Sequence, residues 1–237
     1  MSSLVEWGLL IFLAFLPPLV YTIWIRNTEK CEREQWKTIA ICFLWGASIA
    51  IIAAFVLEVL LHIPLAISVQ NHNTVFLITV ILVAPVVEEF IKPLVLRFKT
   101  VKKEIDELED GLIYGAVAGL GFSATENLFY GWSFLTEGFL FFVLLMVMRS
   151  FGGCFLHASA TALTGYGYSK TIMNKVPFIG VIPYFILAIV VHSLYNFLVS
   201  FDEIGLIVGL VAAFVFVGIT ITLVRKKIQT LDQKTCY

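Results

Sequence analysis

Charge is what this sequence has least of. Asp, Glu, Lys and Arg make up 14% of the 237 residues, while 59% are hydrophobic; soluble domains carry about a quarter charged residues. So little charge cannot cover a water-facing surface, which excludes a soluble globular protein and makes lipid the natural solvent. The polar stretches are too short for a separate soluble domain, so a single integral membrane domain over residues 1–237 is expected. A formal net charge of −1 excludes the basic surface that nucleic-acid binding requires. Cys31, Cys42, Cys154 and Cys236 show no CxxC spacing, so neither a disulfide framework nor a zinc knuckle is expected. No Lys or Arg precedes the first apolar run, and Pro17-Pro18 interrupts it. A secretory signal would have a basic start and a small-residue cleavage site, so the run reads as an uncleaved span. There is no HExxH motif, and no internal repeat of the kind that marks inverted transporter halves.

Long apolar runs are there instead. At about 20 residues per membrane crossing, spans are expected near Leu4–Ile25, Thr38–Leu61, Thr74–Leu96, Gly111–Gly131, Gly138–Gly165, Phe178–Ser200 and Ile204–Val224. The fifth is long enough to be tilted, or broken at Gly152-Gly153. Lys and Arg fall in the first, third and fifth loops and the tail, and are absent from the second, fourth and sixth loops. Positive-inside bias then puts the N-terminus outside and the C-terminus in the cytosol, which requires an odd number of crossings. The fold class expected is an all-α, polytopic transmembrane bundle of about seven helices. The charged loops, including Lys99 to Asp110, read as solvated turns or short helices on the cytosolic face.

Ionisable residues inside spans are expensive, so each is a candidate for function. The third span ends in Glu88-Glu89-Phe90-Ile91-Lys92. Lys92 lies four residues after Glu88 and can pair with it, while Glu89 points about 100° away and could face another cavity. In the fourth span Gly115, Gly119, Phe122 and Glu126 share a face, and the glycines admit a close neighbour. In the fifth, Gly153, His157, Thr161 and Thr164 share a face; Arg149 is expected to pair with a carboxylate such as Glu126. In the sixth, His192 and Asn196 lie one turn apart and can address the same water, metal or carbonyl oxygen. At about 1.5 Å per residue, Glu89 and His157 come out roughly 12–14 Å deep and Glu126 and His192 roughly 21–22 Å, a slab compatible with one cavity.

Peptide hydrolysis needs a base for water, a donor for the oxyanion and a proton for the leaving amine. Glu88 or Glu89 suits the base, the other glutamate being held by Lys92; His192 could polarise water or the carbonyl, and Asn196 could donate to the oxyanion. In a metal-dependent version, Zn²⁺ would be held by a set drawn from Glu89, Glu126, His157 and His192. A proton- or ion-coupled transporter and a non-catalytic membrane-binding protein are the alternatives.

At these residues the sequence resembles the PrsW family of bacterial intramembrane proteases and, more distantly, the CAAX prenyl endopeptidase and Abi proteins. The resemblance rests on EExxK at Glu88 to Lys92, FxxxE at Phe122 to Glu126 and HxxxN at His192 to Asn196. The stretch from His157 to Tyr168 adds to it, and the PrsW-like core lies at about 74–200. The resemblance implies a multi-pass protease of the bacterial cell membrane that cuts membrane-anchored proteins, for example an anti-sigma factor. It implies Glu88, Glu89 and His192 as essential, with Glu126 and Asn196 completing the site; the pattern of the residues adds Lys92, His157 and Arg149 as expected supporting residues. The prenyl endopeptidases have His at the position of Glu126, so prenylated substrates are not expected and glutamate-based chemistry is favoured.

Overall fold

The computed structural model describes residues 4–135, 137–201 and 205–235, and among these it is helical with no strand. Seven long helical stretches follow one another: α1 (Leu4–Arg26), α2 (Trp36–Ser68), α3 (His72–Arg97), α4 (Leu108–Phe134), α5 (Phe139–Met173), α6 (Phe178–Ser200) and α7 (Leu206–Thr235). Each matches one expected span. Ile204, where the last was expected to begin, and Cys236 lie outside the described residues, as do Met1 to Ser3.

Among the described residues, six of these helices are long and apolar enough to cross a membrane, all but α4. That makes the chain a multi-pass membrane protein. Helix α4 is long enough, at 27 residues, but glycine and polar side chains dilute its apolar content. Its stretch from Glu109 to Ala124 is buried throughout, so α4 is solvated by protein, and α1, α2, α5 and α7 wrap it. This is the place where a polar membrane helix can survive, because its neighbours rather than lipid meet its side chains.

Glycine decides how close those neighbours come. A Cβ added at Gly115 would lie 2.5 Å from the Thr161 carbonyl oxygen of α5, and one at Gly119 would overlap the His157 carbonyl. Gly111 and Gly165 meet backbone to backbone in the same seam. Helix α5 runs unbroken for 35 residues, so Gly152-Gly153 is not a break. A Cβ at Gly152 would instead collide with the Tyr195 hydroxyl of α6.

Two helices are locally underwound within their apolar stretches. Helix α2 contains a π turn at Gly46–Ala50 and α3 one at Thr79–Val83. In α3 the cause is visible in the sequence. In a π turn the Val80 carbonyl would accept from the residue five on, which is Pro85, and proline has no N–H. The Asn196 side-chain amide of α6 supplies the missing donor, 2.9 Å from Val80 O. Helix α3 ends by tightening into a 3₁₀ segment at Lys92–Arg97, with Pro93 in its first turn. The Trp45 indole N–H of α2 donates to the carbonyls of Ile91 and Lys92 there, at 3.3 and 3.1 Å.

The charged loops depart from expectation. Lys99–Lys102 does form a short helix, and Asp106 and Glu32 are exposed as expected, but several other acids at this end are not solvated. Glu29 and Glu34 of the first loop, Glu109 and Asp110 at the start of α4, and Asp232 of α7 are all buried. Burial is the main reason the Glu29 carboxyl is pushed up to about 8 and the Glu34 carboxyl to about 10, with the charge of Asp110 adding to both. The loops pack on one another because carboxylates satisfy backbone amides: Asp232 accepts from the N–H groups of Lys30 and Cys31, and Asp110 from those of Asp106 and Glu107. Cys42 and Cys154 are buried free thiols. Cys31 is disulfide-bonded, which the spacing of the cysteines did not suggest.

Candidate active site

The ionisable residues of α3, α4, α5 and α6 converge on one cluster with a lysine at its centre. Lys92 is fully buried. Its Nζ lies 2.7 Å from Glu89 Oε1, 2.8 Å from His157 Nδ1 and 2.9 Å from Glu88 Oε2, and 4.6 Å from the Phe122 ring centroid. An ammonium removed from water needs such a set of acceptors, since an unpaired buried charge costs several kcal/mol. Both glutamates therefore pair with Lys92, although they leave the helix in different directions.

Those directions separate the glutamates. Glu89 points into protein: it is fully buried, and besides Lys92 it accepts from His192 Nδ1 at 2.8 Å and from Thr161 Oγ1 at 2.9 Å. Every lone pair facing a donor is in use. Glu88 points into an open cavity. Its Oε2 is close to Lys92 but outside hydrogen-bonding geometry and has no hydrogen bond from the protein.

The hydrogen-bond network fixes the imidazole protons. An ammonium can only donate, so His157 Nδ1 accepts from Lys92 and the ring proton sits on Nε2. That proton faces Glu126 Oε2 at 2.7 Å. A carboxylate can only accept, so His192 Nδ1–H donates to Glu89 and the Nε2 lone pair is left free. This Nε2 lies 4.0 Å from Glu88 Oε2. The two rings stand edge to face, 5.1 Å apart.

Glu126 is turned away from Glu88 and Glu89. Arg149 clamps it, Nη2 to Oε2 at 2.6 Å, while Arg149 Nε donates to Asn127 Oδ1 at 2.8 Å and the guanidinium stacks 4.0 Å over Tyr130. The seam of glycines makes this reach possible, because α4 and α5 must nearly touch for His157 to bridge Lys92 and Glu126.

A cavity of about 940 Å³ opens onto the cluster, with Glu88, Glu126, His157, His192 and Asn196 on its lining. Aromatic side chains, among them Phe55, Phe76, Phe129 and Trp132, form much of the wall. Glu58 of α2 lines it too and was missed in the sequence, although a glutamate inside the second apolar run carries the same signal as the others. Asn127 was missed because Glu126 beside it explains the polarity. Asn196 sits at the cavity with its amide donating to Val80 rather than aimed at a reacting atom.

The donors are suited to a metal. One ligand atom each from Glu88, Glu89, His157 and His192 fall within 4.8 Å of one another. Imidazole nitrogen and carboxylate oxygen are the usual ligands of hydrolytic zinc. Two of these atoms, Glu88 Oε2 and His192 Nε2, lack protein hydrogen bonds, and the Glu89 contact to His192 Nδ1–H is the kind of outer support that ligating histidines have. Glu88 stands in this group where Glu126 was expected, since Glu126 is engaged by Arg149.

The family model described as "PrsW family intramembrane metalloprotease" matches residues 34–223. A protein named Protease PrsW, from Clostridioides difficile (strain 630), is 30% identical over 122 residues, which is 51% of this chain and 50% of that one. The alignment thus spans about half the length of that curated relative. No solved structure matches significantly.

Proposed function

The chain belongs to the PrsW family of intramembrane metalloproteases, and on that premise we propose that it hydrolyses peptide bonds of membrane-anchored proteins at the Glu88–His192 cluster. The observation that carries the reading is the 4.0 Å separation of His192 Nε2 from Glu88 Oε2, itself ion-paired with Lys92 at 2.9 Å, beside a cavity walled by aromatic residues. That spacing admits one water in hydrogen-bond reach of both.

In this account Glu88 is the general base. It faces the cavity, whereas Glu89 is enclosed and holds Lys92, Thr161 and His192 in place. Glu88 takes the proton of the attacking water and returns it to the leaving amine, a dual role suited to a carboxylate in an apolar site. Lys92, 2.9 Å from Glu88 Oε2, balances the negative charge that develops. His157, with Arg149 and Glu126 behind it, sets the far wall. Asn196 is a positioning residue that ties α6 to the π turn of α3. A Zn²⁺ would draw its ligands from Glu89, His157 and His192, taking the place of Lys92 at His157 Nδ1 and leaving Glu88 as the base. Bound there, the metal would lower the pKa of its water and polarise the scissile carbonyl.

The substrate reading follows from the walls. A cavity of this size lined by Phe and Trp accepts an extended apolar segment, so a single-span protein unwound near its cleavage point fits, and an anti-sigma factor is one such substrate. The loop charges favour an external N-terminus and a cytosolic C-terminus. The test is cleavage of single-span substrates by purified protein in liposomes, comparing wild type with Glu88→Gln and His192→Ala. Both variants should remain inserted and lose cleavage by about 10³-fold or more. Cleavage surviving both changes would sink the hydrolase, and loss of a transmembrane ion flux in its place would favour a transporter.

A further inference from the structure

The buried acids at the loop end form a second site that proteolysis does not use. Glu29, Glu107 and Asp110 each bring a carboxylate oxygen within 4.8 Å of the others. They come from two segments distant in sequence, the α1–α2 loop and the start of α4, with Glu34 beside them. Glu34 accepts a hydrogen bond from the Tyr114 hydroxyl. Nearby bases are present but turned elsewhere. Arg26 Nε donates to the Glu34 carbonyl, Arg33 Nε to the Glu29 carbonyl and Arg225 Nε to the Thr28 hydroxyl. No ion pair to a described residue neutralises Glu29, Glu34 or Asp110. An independent sign of a missing partner lies in Glu29 itself. It is fully buried; its Oε2 accepts the Glu34 N–H at 3.1 Å, and its Oε1 has no hydrogen-bond partner among the described residues. Glu109 Oε1, next to Asp110, is also buried without one.

We propose that Glu29, Glu107 and Asp110 bind a hard divalent cation, of the Ca²⁺ or Mg²⁺ class, that fastens the first loop to the start of α4. Carboxylate oxygens without nitrogen or sulfur donors select such ions. Ca²⁺ at about 2.3–2.6 Å from each oxygen spans ligands up to about 5 Å apart, and Mg²⁺ at about 2.1 Å up to about 4 Å. The ion completes Glu29 and balances carboxylates that packing has brought together. The inference does not depend on the peptidase reading, because none of its residues belongs to the Glu88–His192 cluster.

The test uses full-length protein in detergent, stripped with chelator and titrated with CaCl₂ or MgCl₂ while heat of binding and thermal unfolding are recorded. Wild type should bind one ion and gain about 5 °C in Tm at saturating concentration. Glu29→Gln should weaken binding at least tenfold and abolish the gain, while Glu88→Gln keeps both. The ion giving the larger gain identifies the class member. Should Glu29→Gln fail to fold, Glu107→Gln at the more exposed ligand serves the same purpose. No heat and no Tm gain with either ion at millimolar concentration would overturn the proposal. So would undiminished binding in a folded Glu29→Gln or Glu107→Gln protein, or loss of the gain in Glu88→Gln.

Discussion

Replacing Gly115 by alanine adds one methyl group at a tight backbone contact between α4 and α5, two of the four helices that carry the site. That methyl would lie 2.5 Å from the Thr161 carbonyl oxygen and 3.1 Å from Ala162 Cα. Real Cβ atoms essentially never approach closer than 3.0 Å, and both obstacles are backbone, so α4 and α5 must part by at least about 0.5 Å in a close-packed interior. Overpacking of this kind costs about 1–3 kcal/mol, and the helix preference of Ala over Gly returns about 1 kcal/mol. A net loss of about 1 kcal/mol lowers Tm by about 2–4 °C in a chain of this size. The displacement acts on function through Thr161, whose hydroxyl holds Glu89 at 2.9 Å. A shift of 1 Å in a catalytic array costs about a hundredfold in rate, so half that shift should cost about tenfold. The assays are thermal unfolding in detergent and cleavage of a single-span substrate in liposomes. Gly218→Ala on α7, where nothing lies within 4 Å of the added methyl, is the matched control and should be neutral or mildly stabilising. Gly115→Ala indistinguishable from that control in both assays would refute the reasoning.

Lys92→Met keeps the length of the side chain but leaves Glu88 and Glu89 buried without their cation. Unfolding in detergent should show a loss of about 3–5 kcal/mol, and a wild-type Tm would contradict the network as drawn. Thr161→Val removes one donor from Glu89 at nearly constant volume and should cost about 1–3 kcal/mol, with Thr161→Ser restoring most of it. Stability should also depend on pH through the loop acids. Glu29 and Glu34 have folded values raised to about 8 and about 10, so the folded state binds protons more tightly than the unfolded one. Their contribution is complete below about pH 4.5 and is lost as pH rises through 8 to 10. In chelator, Tm should fall between pH 6 and pH 10, with Glu107, Glu109, Asp110 and Asp232 as the facing acids and Tyr114 as the hydroxyl donor. A flat profile would be incompatible with buried, unneutralised carboxyls.

Much of this was legible in the sequence because lipid simplifies the code. Apolar runs located the seven helical stretches, six of them long and apolar enough to cross a membrane among the described residues, and Glu88, Glu89, Glu126, His157 and His192 stood out since charge inside such runs is rare. Helical spacing also paired Lys92 with Glu88. What spacing could not give was direction between helices. Whether Glu88 or Glu89 faces the cavity depends on the π turn at Thr79–Val83, which rotates the following residues. The link from Asn196 to Val80 depends on Pro85, a residue whose effect is felt one carbonyl away from the ladder it breaks. The pairing of Arg149 with Glu126, 23 positions apart, was expected and stands at 2.6 Å, and it leaves Glu126 outside the group of candidate ligands. The loop acids were misjudged for another reason: charged loops are usually solvated, and only the long-range packing of Glu29 against Asp110 and of Asp232 against the first loop shows that these are not.

The buried Glu–His cluster is proposed to cut peptide bonds in the membrane with a metal bound. The most direct measurement is metal content and cleavage of a single-span substrate on the same purified protein, before and after chelation. The account predicts about one zinc ion per chain, lost together with cleavage on chelation and restored by added Zn²⁺, with neither retained in His192→Ala. Full cleavage by metal-free protein, or zinc retained and cleavage intact in His192→Ala, would contradict it.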